Sequence, residues 1–189
     1  MDKKTKVTVL VSGGGTNLQA IIDKVQSGEL PQVELVKVIS SKEGAFALER
    51  AAKAGIPTAV AKEQADVLNE LKACGTELIV LAGYMKVLSE EIIKEYRNRI
   101  INIHPSLIPK YCGKGFYGIR VHNAVIAGGE TESGATVHYV DEGVDTGEII
   151  LQRKVPVEPG DTPEDLAARV LKVEHVILAE GLKIAIDNL

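Results

Sequence analysis

Val7-Thr8-Val9-Leu10-Val11-Ser12-Gly13-Gly14-Gly15-Thr16-Asn17 is the stretch that decides the fold. Its short β-branched run suits a strand buried in a parallel sheet. The glycines close that strand. Leu18, Ile21, Ile22 and Val25 then recur at i, i+3, i+4 and i+7, which makes one apolar helix face, and Gly28 marks the helix end. A strand that turns through glycine directly into a helix is the opening of a βαβ unit.

The same alternation continues outward from this stretch. Val33 to Ile39 predicts a second strand, and Gly44 to Ala54 a helix stopped by Gly55 and Pro57. Pro57 to Ala61 fits a short strand and Ala65 to Ala73 a helix. Leu78-Ile79-Val80-Leu81-Ala82 reads as a central strand, Ser89 caps a helix to about Tyr96, and Ile100 to Ile103 is another strand. Short strands with helical crossovers predict an α/β fold with a doubly wound, mostly parallel, Rossmann-like sheet. Gly134 to Val140 and Glu148 to Lys154 add a β-hairpin-like extension toward the C-terminus. A long terminal helix begins at Thr162-Pro163-Glu164-Asp165, with Thr162 as N-cap, Pro163 at the first helical position and Asp165 at N3. Its apolar face is Leu166, Val170, Val173 and Ile177. No linker or repeat divides the sequence, so residues 1–189 read as a single domain.

Composition narrows the function classes. The net charge is −4, and no Lys/Arg-rich run is present. That argues against nucleic acid as a partner. No apolar run approaches the roughly 18 residues of a membrane span. Met1-Asp2-Lys3-Lys4 leads straight into a strand pattern rather than a signal peptide, so a cytoplasmic location is expected. Cys74 and Cys112 lack CxxC spacing, which suits a reducing compartment. His104, His122, His138 and His175 show no metal-ligand spacing, so no metal is expected.

Three segments could carry chemistry. Ser12-Gly13-Gly14-Gly15-Thr16-Asn17 offers free N–H groups at a helix N-terminus, where a phosphate can sit; the bland alternative is a tight strand–helix turn. It is no Walker loop, because no Gly-Lys-Ser/Thr follows, and GxGxxG would need glycine at Leu18. Asn102 and His104 lie two residues apart at a strand end, so their side chains share a face. An imidazole relays protons near neutral pH, and an amide donates to a developing oxyanion. Asp145, in the loop Asp141-Glu142-Gly143-Val144-Asp145-Thr146-Gly147, could orient and charge-stabilise His104, although acidic glycine-containing loops are usually just turns. Glu174 and His175 read as a solvated helix face.

Taken together, Ser12-Gly-Gly-Gly-Thr-Asn-Leu-Gln19, Leu81-Ala-Gly-Tyr-Met-Lys-Val-Leu88, Asn102-Ile-His-Pro-Ser-Leu-Ile-Pro109, Gly134-Ala-Thr-Val-His-Tyr-Val140 and Asp145-Thr-Gly147 resemble the glycinamide ribonucleotide formyltransferase family. The resemblance implies a small-molecule enzyme of purine biosynthesis that uses 10-formyltetrahydrofolate as co-substrate and no metal. It implies Asn102, His104 and Asp145 as the catalytic trio. The amides of Gly15, Thr16 and Asn17 would hold the acceptor's phosphate, with Glu174 on its sugar or glycinamide part. Met85, Lys86, Val87 and Leu88 would line the folate pocket with Asn102, Asp141, Glu142, Gly143, Val144 and Asp145. The implied mechanism is direct attack of the amine on the formyl carbon. Asn102 and a protonated His104 stabilise the oxyanion, Asp145 raises the His104 pKa, and a bound water carries the proton to the leaving nitrogen. A cis Ile108-Pro109 bond is expected on the same basis.

The sequence departs from the family at several places. The turn has Gly14-Gly15-Thr16 where many relatives have Asn-Gly-Ser. Ala59 to Leu68 is short, which leaves Lys62 as a guess for the folate-tail cation. Leu171 replaces a polar contact, and Tyr111 to Arg120 reads as a long loop of no assigned role. Two competing enzymes share the donor or the catalytic segment. Formyltetrahydrofolate deformylase usually carries a further N-terminal domain and methionyl-tRNA formyltransferase a further C-terminal one. A non-catalytic phosphate- or nucleotide-binding module is the reading from a different class.

Overall fold

The computed structural model describes residues 3–189; Met1 and Asp2, the start of the segment read above against a signal peptide, lie outside the described residues. Seven strands form one sheet in the order β3-β2-β1-β4-β5-β6-β7. They are β1 (Thr5–Val11), β2 (Val33–Ser40), β3 (Thr58–Val60), β4 (Leu78–Leu81), β5 (Ile100–His104), β6 (Glu132–Tyr139) and β7 (Ile149–Pro156). The first five run parallel, whereas β6 pairs antiparallel with both β5 and β7. The expected hairpin-like extension is therefore the antiparallel edge of the same sheet.

The strand register explains how each face is covered. Val7, Val9 and Val11 face one core with α1 (Thr16–Gln26), α2 (Phe46–Lys53), α5 (Ile119–Ala127) and α6 (Pro163–Asp187). Leu10 and Ile79 face the other core, with α3 (Gln64–Ala73) and α4 (Glu90–Glu95). Period-2 alternation thus serves two apolar layers, the doubly wound arrangement the sequence predicts. The helix ends also follow their local chemistry. Ser89 Oγ accepts from the Ile92 amide, and Thr162 and Asp165 form a reciprocal capping box with Pro163 in the first turn. From there α6 runs 25 residues. Among the described residues no helix is long and apolar enough to cross a membrane.

One element departs from the sequence reading. The Tyr111–Arg120 loop ends at Gly118, and Ile119 and Arg120 already belong to α5. Its buried residues are Val121, His122 and Val125. The helix is short, β-branched and lacks a side-chain cap, so propensity alone does not announce it.

The sheet order creates the site. β1 pairs with β2 on one side and β4 on the other, so the chain reverses direction across the sheet at β1/β4. The crevice beyond the carboxyl ends at such a switch point is where open α/β sheets bind ligands. Ser12 and the glycines leave β1 there, Gly83 to Leu88 leave β4, and Asn102 and His104 end β5.

Candidate active site

The floor of this crevice is β5 against β6. Register places Asn102 opposite His138 and His104 opposite Thr136. The Asn102 amide nitrogen lies 3.1 Å from His138 Nε2. His138 Nδ1 lies 2.7 Å from the Tyr139 carbonyl, to which it must donate, so a neutral His138 accepts from Asn102 at Nε2. This network orients the amide and leaves its second N–H for a ligand in the cleft that Asn102 lines.

His104 is fixed in the same way from the other side. Its Nε2 donates to the Tyr111 carbonyl at 2.9 Å, which puts Nδ1 3.6 Å from Asp145 Oδ2. Asp145 Oδ2 also accepts the Gly113 amide at 2.9 Å, and Oδ1 lies 3.6 Å from His138 Nε2. The loop between Tyr111 and Gly118, which carried no role in the sequence reading, thus braces two members of the trio through its backbone. Sequence gives no signal for this, because any residue supplies a carbonyl or an amide. His138 is a further site residue missed at that stage; the register of a strand paired to β5 is the signal that finds it.

The charge state differs from the expectation. Burial pushes His104 below the ordinary imidazole range, and the Tyr111 hydrogen bond and the Asp145 charge push it up without cancelling that effect. Asp145 acts in the expected direction, but the imidazole rests neutral in the free protein, because a 4% exposed ring loses more hydration than one carboxylate returns. Burial alone would raise Asp145; the facing His138 ring and the Gly113 amide bring its carboxyl below the usual carboxylate range.

Beside the floor, a cavity of about 330 Å³ opens between Tyr84–Leu88 and Val140–Thr146. Met85, Lys86, Val87, Leu88, Asp141, Gly143, Val144 and Asp145 all line it with Asn102 and His104. Glu142 does not line it. Its side chain turns outward to pair with Arg97, because Asp141 Oδ1 takes the Gly143 amide and the Thr146 hydroxyl and so folds the loop inward around residue 142. Met85 and Val87 are 48% and 69% exposed, an apolar wall open to a flat ligand. Lys62 lies outside this lining and pairs with Glu43.

The glycine turn stands on the other side of the crevice. Gly15 adopts φ +75°, and a Cβ there would lie 2.5 Å from Ala47 Cβ. Its small size therefore serves the approach of α2. Gly13 and Gly14, where added Cβ atoms would meet nothing within 4 Å, leave the turn open to solvent. On the α2 side, the Ala47 amide donates to the Gly13 carbonyl and Arg50 Nε to the Gly14 carbonyl, at 3.0 and 2.7 Å. Asn17 donates to Glu174 Oε2 at 2.7 Å. Glu174 is 8% exposed rather than solvated, a correction to the helix-face reading, because α6 packs against α1 at this point. Burial pushes its carboxyl up, and the Asn17 hydrogen bond only partly offsets that. The structure therefore joins the Gly15–Asn17 turn to Glu174 through Asn17, and brings Asn102, His104 and Asp145 together at the cavity. Ile108-Pro109 is cis, as expected.

Residues 5–182 match the family described as formyl transferase. The chain belongs to the formyl transferase family. It is 50% identical over 182 residues to the trifunctional purine biosynthetic protein adenosine-3 of Drosophila pseudoobscura pseudoobscura, covering 91% of this chain and 13% of that protein. The chain thus spans only a small part of that relative's length. It is 43% identical over 181 residues to the phosphoribosylglycinamide formyltransferase of Haemophilus influenzae, covering 91% of this chain and 82% of the relative. Among solved structures it resembles the phosphoribosylglycinamide formyltransferase of Anaplasma phagocytophilum with a TM-score of 0.90 at 37% identity, covering 98% and 88% of the two chains. A formyltetrahydrofolate deformylase from Pseudomonas syringae gives 0.86 at 28% identity, covering 95% of this chain and 60% of that one. Fold alone therefore does not separate transferase from hydrolase among these structures.

Two stability predictions arise from this geometry. Gly15→Ala forces a left-handed alanine into Ala47. The expected loss is about 2–4 kcal/mol, from backbone strain plus overpacking, read as a lower denaturation midpoint with an unchanged slope. His104 and His122, each 4% exposed, have pKa values pushed below the ordinary range by burial, with a further lowering of His122 by His104. The unfolded chain then binds protons that the folded chain refuses. Their contribution is complete above the unfolded pKa of about 6.5 and is lost as pH falls through the lower folded values. Tm should drop between about pH 7 and 5, and His122→Gln should make that drop shallower.

Proposed function

We propose that this chain transfers the formyl group of 10-formyltetrahydrofolate to the amine of glycinamide ribonucleotide in purine biosynthesis. The observation that carries the reading is the placement of Asn102, His104 and Asp145 between an open glycine turn and an apolar-walled cleft. Scattered side chains would have favoured a non-catalytic binding module; instead Asp145 faces His104 at 3.6 Å. The cleft suits a reduced folate by its own chemistry, since a flat heterocycle needs apolar walls and backbone edges, and Met85–Leu88 with Asp141 and Gly143–Asp145 supply both. The bound folate supplies an activated one-carbon unit on nitrogen.

The chain's own groups then divide the work. The turn at Gly15, Thr16 and Asn17 orients the acceptor through its phosphate, and Glu174 meets its sugar or glycinamide part. A C–N bond forms between the amine and the formyl carbon, and the bond to the folate nitrogen breaks. The free amide N–H of Asn102 donates to the oxygen that gains charge. His104 starts neutral with a bare Nδ1 toward Asp145, so it can take the attacking amine's proton through water and hand it on, with Asp145 stabilising the transient imidazolium. The amine's proton ends on the leaving nitrogen through an intervening water. The same reading places the enzyme in the cytoplasm, supported by two unpaired thiols.

A hydrolase of the same donor needs water but no acceptor phosphate. The distinguishing test compares glycinamide ribonucleotide with its phosphate-free riboside. Transfer should favour the phosphorylated acceptor by at least about 100-fold in kcat/KM, the scale of two to three lost charge-assisted hydrogen bonds. Equal use of both acceptors would remove the phosphate site from the account.

A further inference from the structure

We infer that Ser12 is a positioning residue that ties the folate wall of the cleft to the acceptor-binding turn, an inference that rests on the function proposed above. Ser12 follows β1 immediately before Gly13 and is 6% exposed. Its Oγ accepts the Met85 amide at 2.9 Å and lies 2.6 Å from Ser41 Oγ. Ser41 is 3% exposed just beyond β2, where its own amide donates to the Val11 carbonyl at 3.1 Å. One hydroxyl therefore joins the carboxyl ends of β2, β1 and β4 across the switch point.

Leu88 anchors the far end of the wall in the core, but the residues from Met85 to Val87 have few anchors of their own. Met85 and Val87 are exposed, and Lys86 reaches back only to the Lys62 carbonyl. At its far end the Ser89 amide donates to Gln64 Oε1 at 3.0 Å. At its near end the anchor is Ser12. Gly83, at φ +73°, gives the preceding backbone freedom that this bond must limit. Because Ser12 also starts the glycine turn, the same bond sets how far the donor's reacting carbon stands from the acceptor. Displacements of about 1 Å at such a distance are costly in rate.

Ser12→Ala and Ser41→Ala separate this role from simple stability. Both remove the buried Ser–Ser hydrogen bond, so both should lower Tm by similar amounts. Only Ser12→Ala also strips the Met85 amide of its acceptor. In Ser12→Ala, the dissociation constant for tetrahydrofolate, measured by calorimetry, should rise about tenfold, and Met85 amide exchange should quicken by at least as much. Ser41→Ala should stay within about twofold of the wild type on both readouts, the scale of a change distant from the Met85 bond. Matching folate affinities in the two variants, or slow Met85 exchange in Ser12→Ala, would overturn the inference. A wild-type protein that binds no tetrahydrofolate would instead refute the proposed function, and the inference with it.

Discussion

Asp145→Asn is expected to lower kcat by about 10²–10³-fold while the protein stays folded. The carboxylate is 3.6 Å from His104 Nδ1 and pushes that ring's pKa up against the larger effect of burial. Asparagine keeps the shape and can still accept the Gly113 amide through its oxygen, so the loop keeps its brace. What disappears is the charge that makes protonation of Nδ1 affordable. The His104 pKa should fall further, and acceptor affinity should hardly change, because the glycine turn is untouched. Titration of the His104 ring by NMR alongside steady-state kinetics checks both halves. Full activity with an unchanged His104 titration would return the Asp141–Gly147 loop to a plain acidic turn.

Asn102→Asp should cost as much or more, roughly 10³-fold in kcat. The two side chains are nearly isosteric, so packing against β6 survives. The substitution removes the N–H offered to the developing oxyanion and puts a negative charge where that oxygen gains one. It also takes from His138 Nε2 the donor that faces it at 3.1 Å. Residual activity should rise at lower pH, where the new carboxyl is protonated and can donate. Combining Asn102→Asp with Asp145→Asn should give less than the product of the separate losses, because both act on one network. A pH-independent, fully additive pair would contradict a shared network.

Much of the fold was legible because strand and helix periods are strong where both sheet faces are covered. Val7, Val9 and Val11 against Leu10 assign two cores before any contact is known. α5 escaped because nine residues rich in branched side chains follow a glycine loop without a cap. At the site, motif residues could be named, but their partners could not. Glu174 looks solvated among charged neighbours, and only the meeting of α1 and α6 buries it against Asn17. The protonation of His104 depends on the Tyr111 carbonyl and on burial, neither of which is a property of residue type. Glu142 shows the reverse case: it sits inside a functional loop yet points away from the cleft, because Asp141 closes the turn around it.

The most direct test of the account follows the fate of a labelled formyl group on 10-formyltetrahydrofolate, with and without glycinamide ribonucleotide. The account predicts that the label appears on the acceptor's amine at a rate that saturates with acceptor, and that little formate forms when the acceptor is left out. Rapid release of labelled formate without acceptor, unchanged when glycinamide ribonucleotide is added, would contradict it.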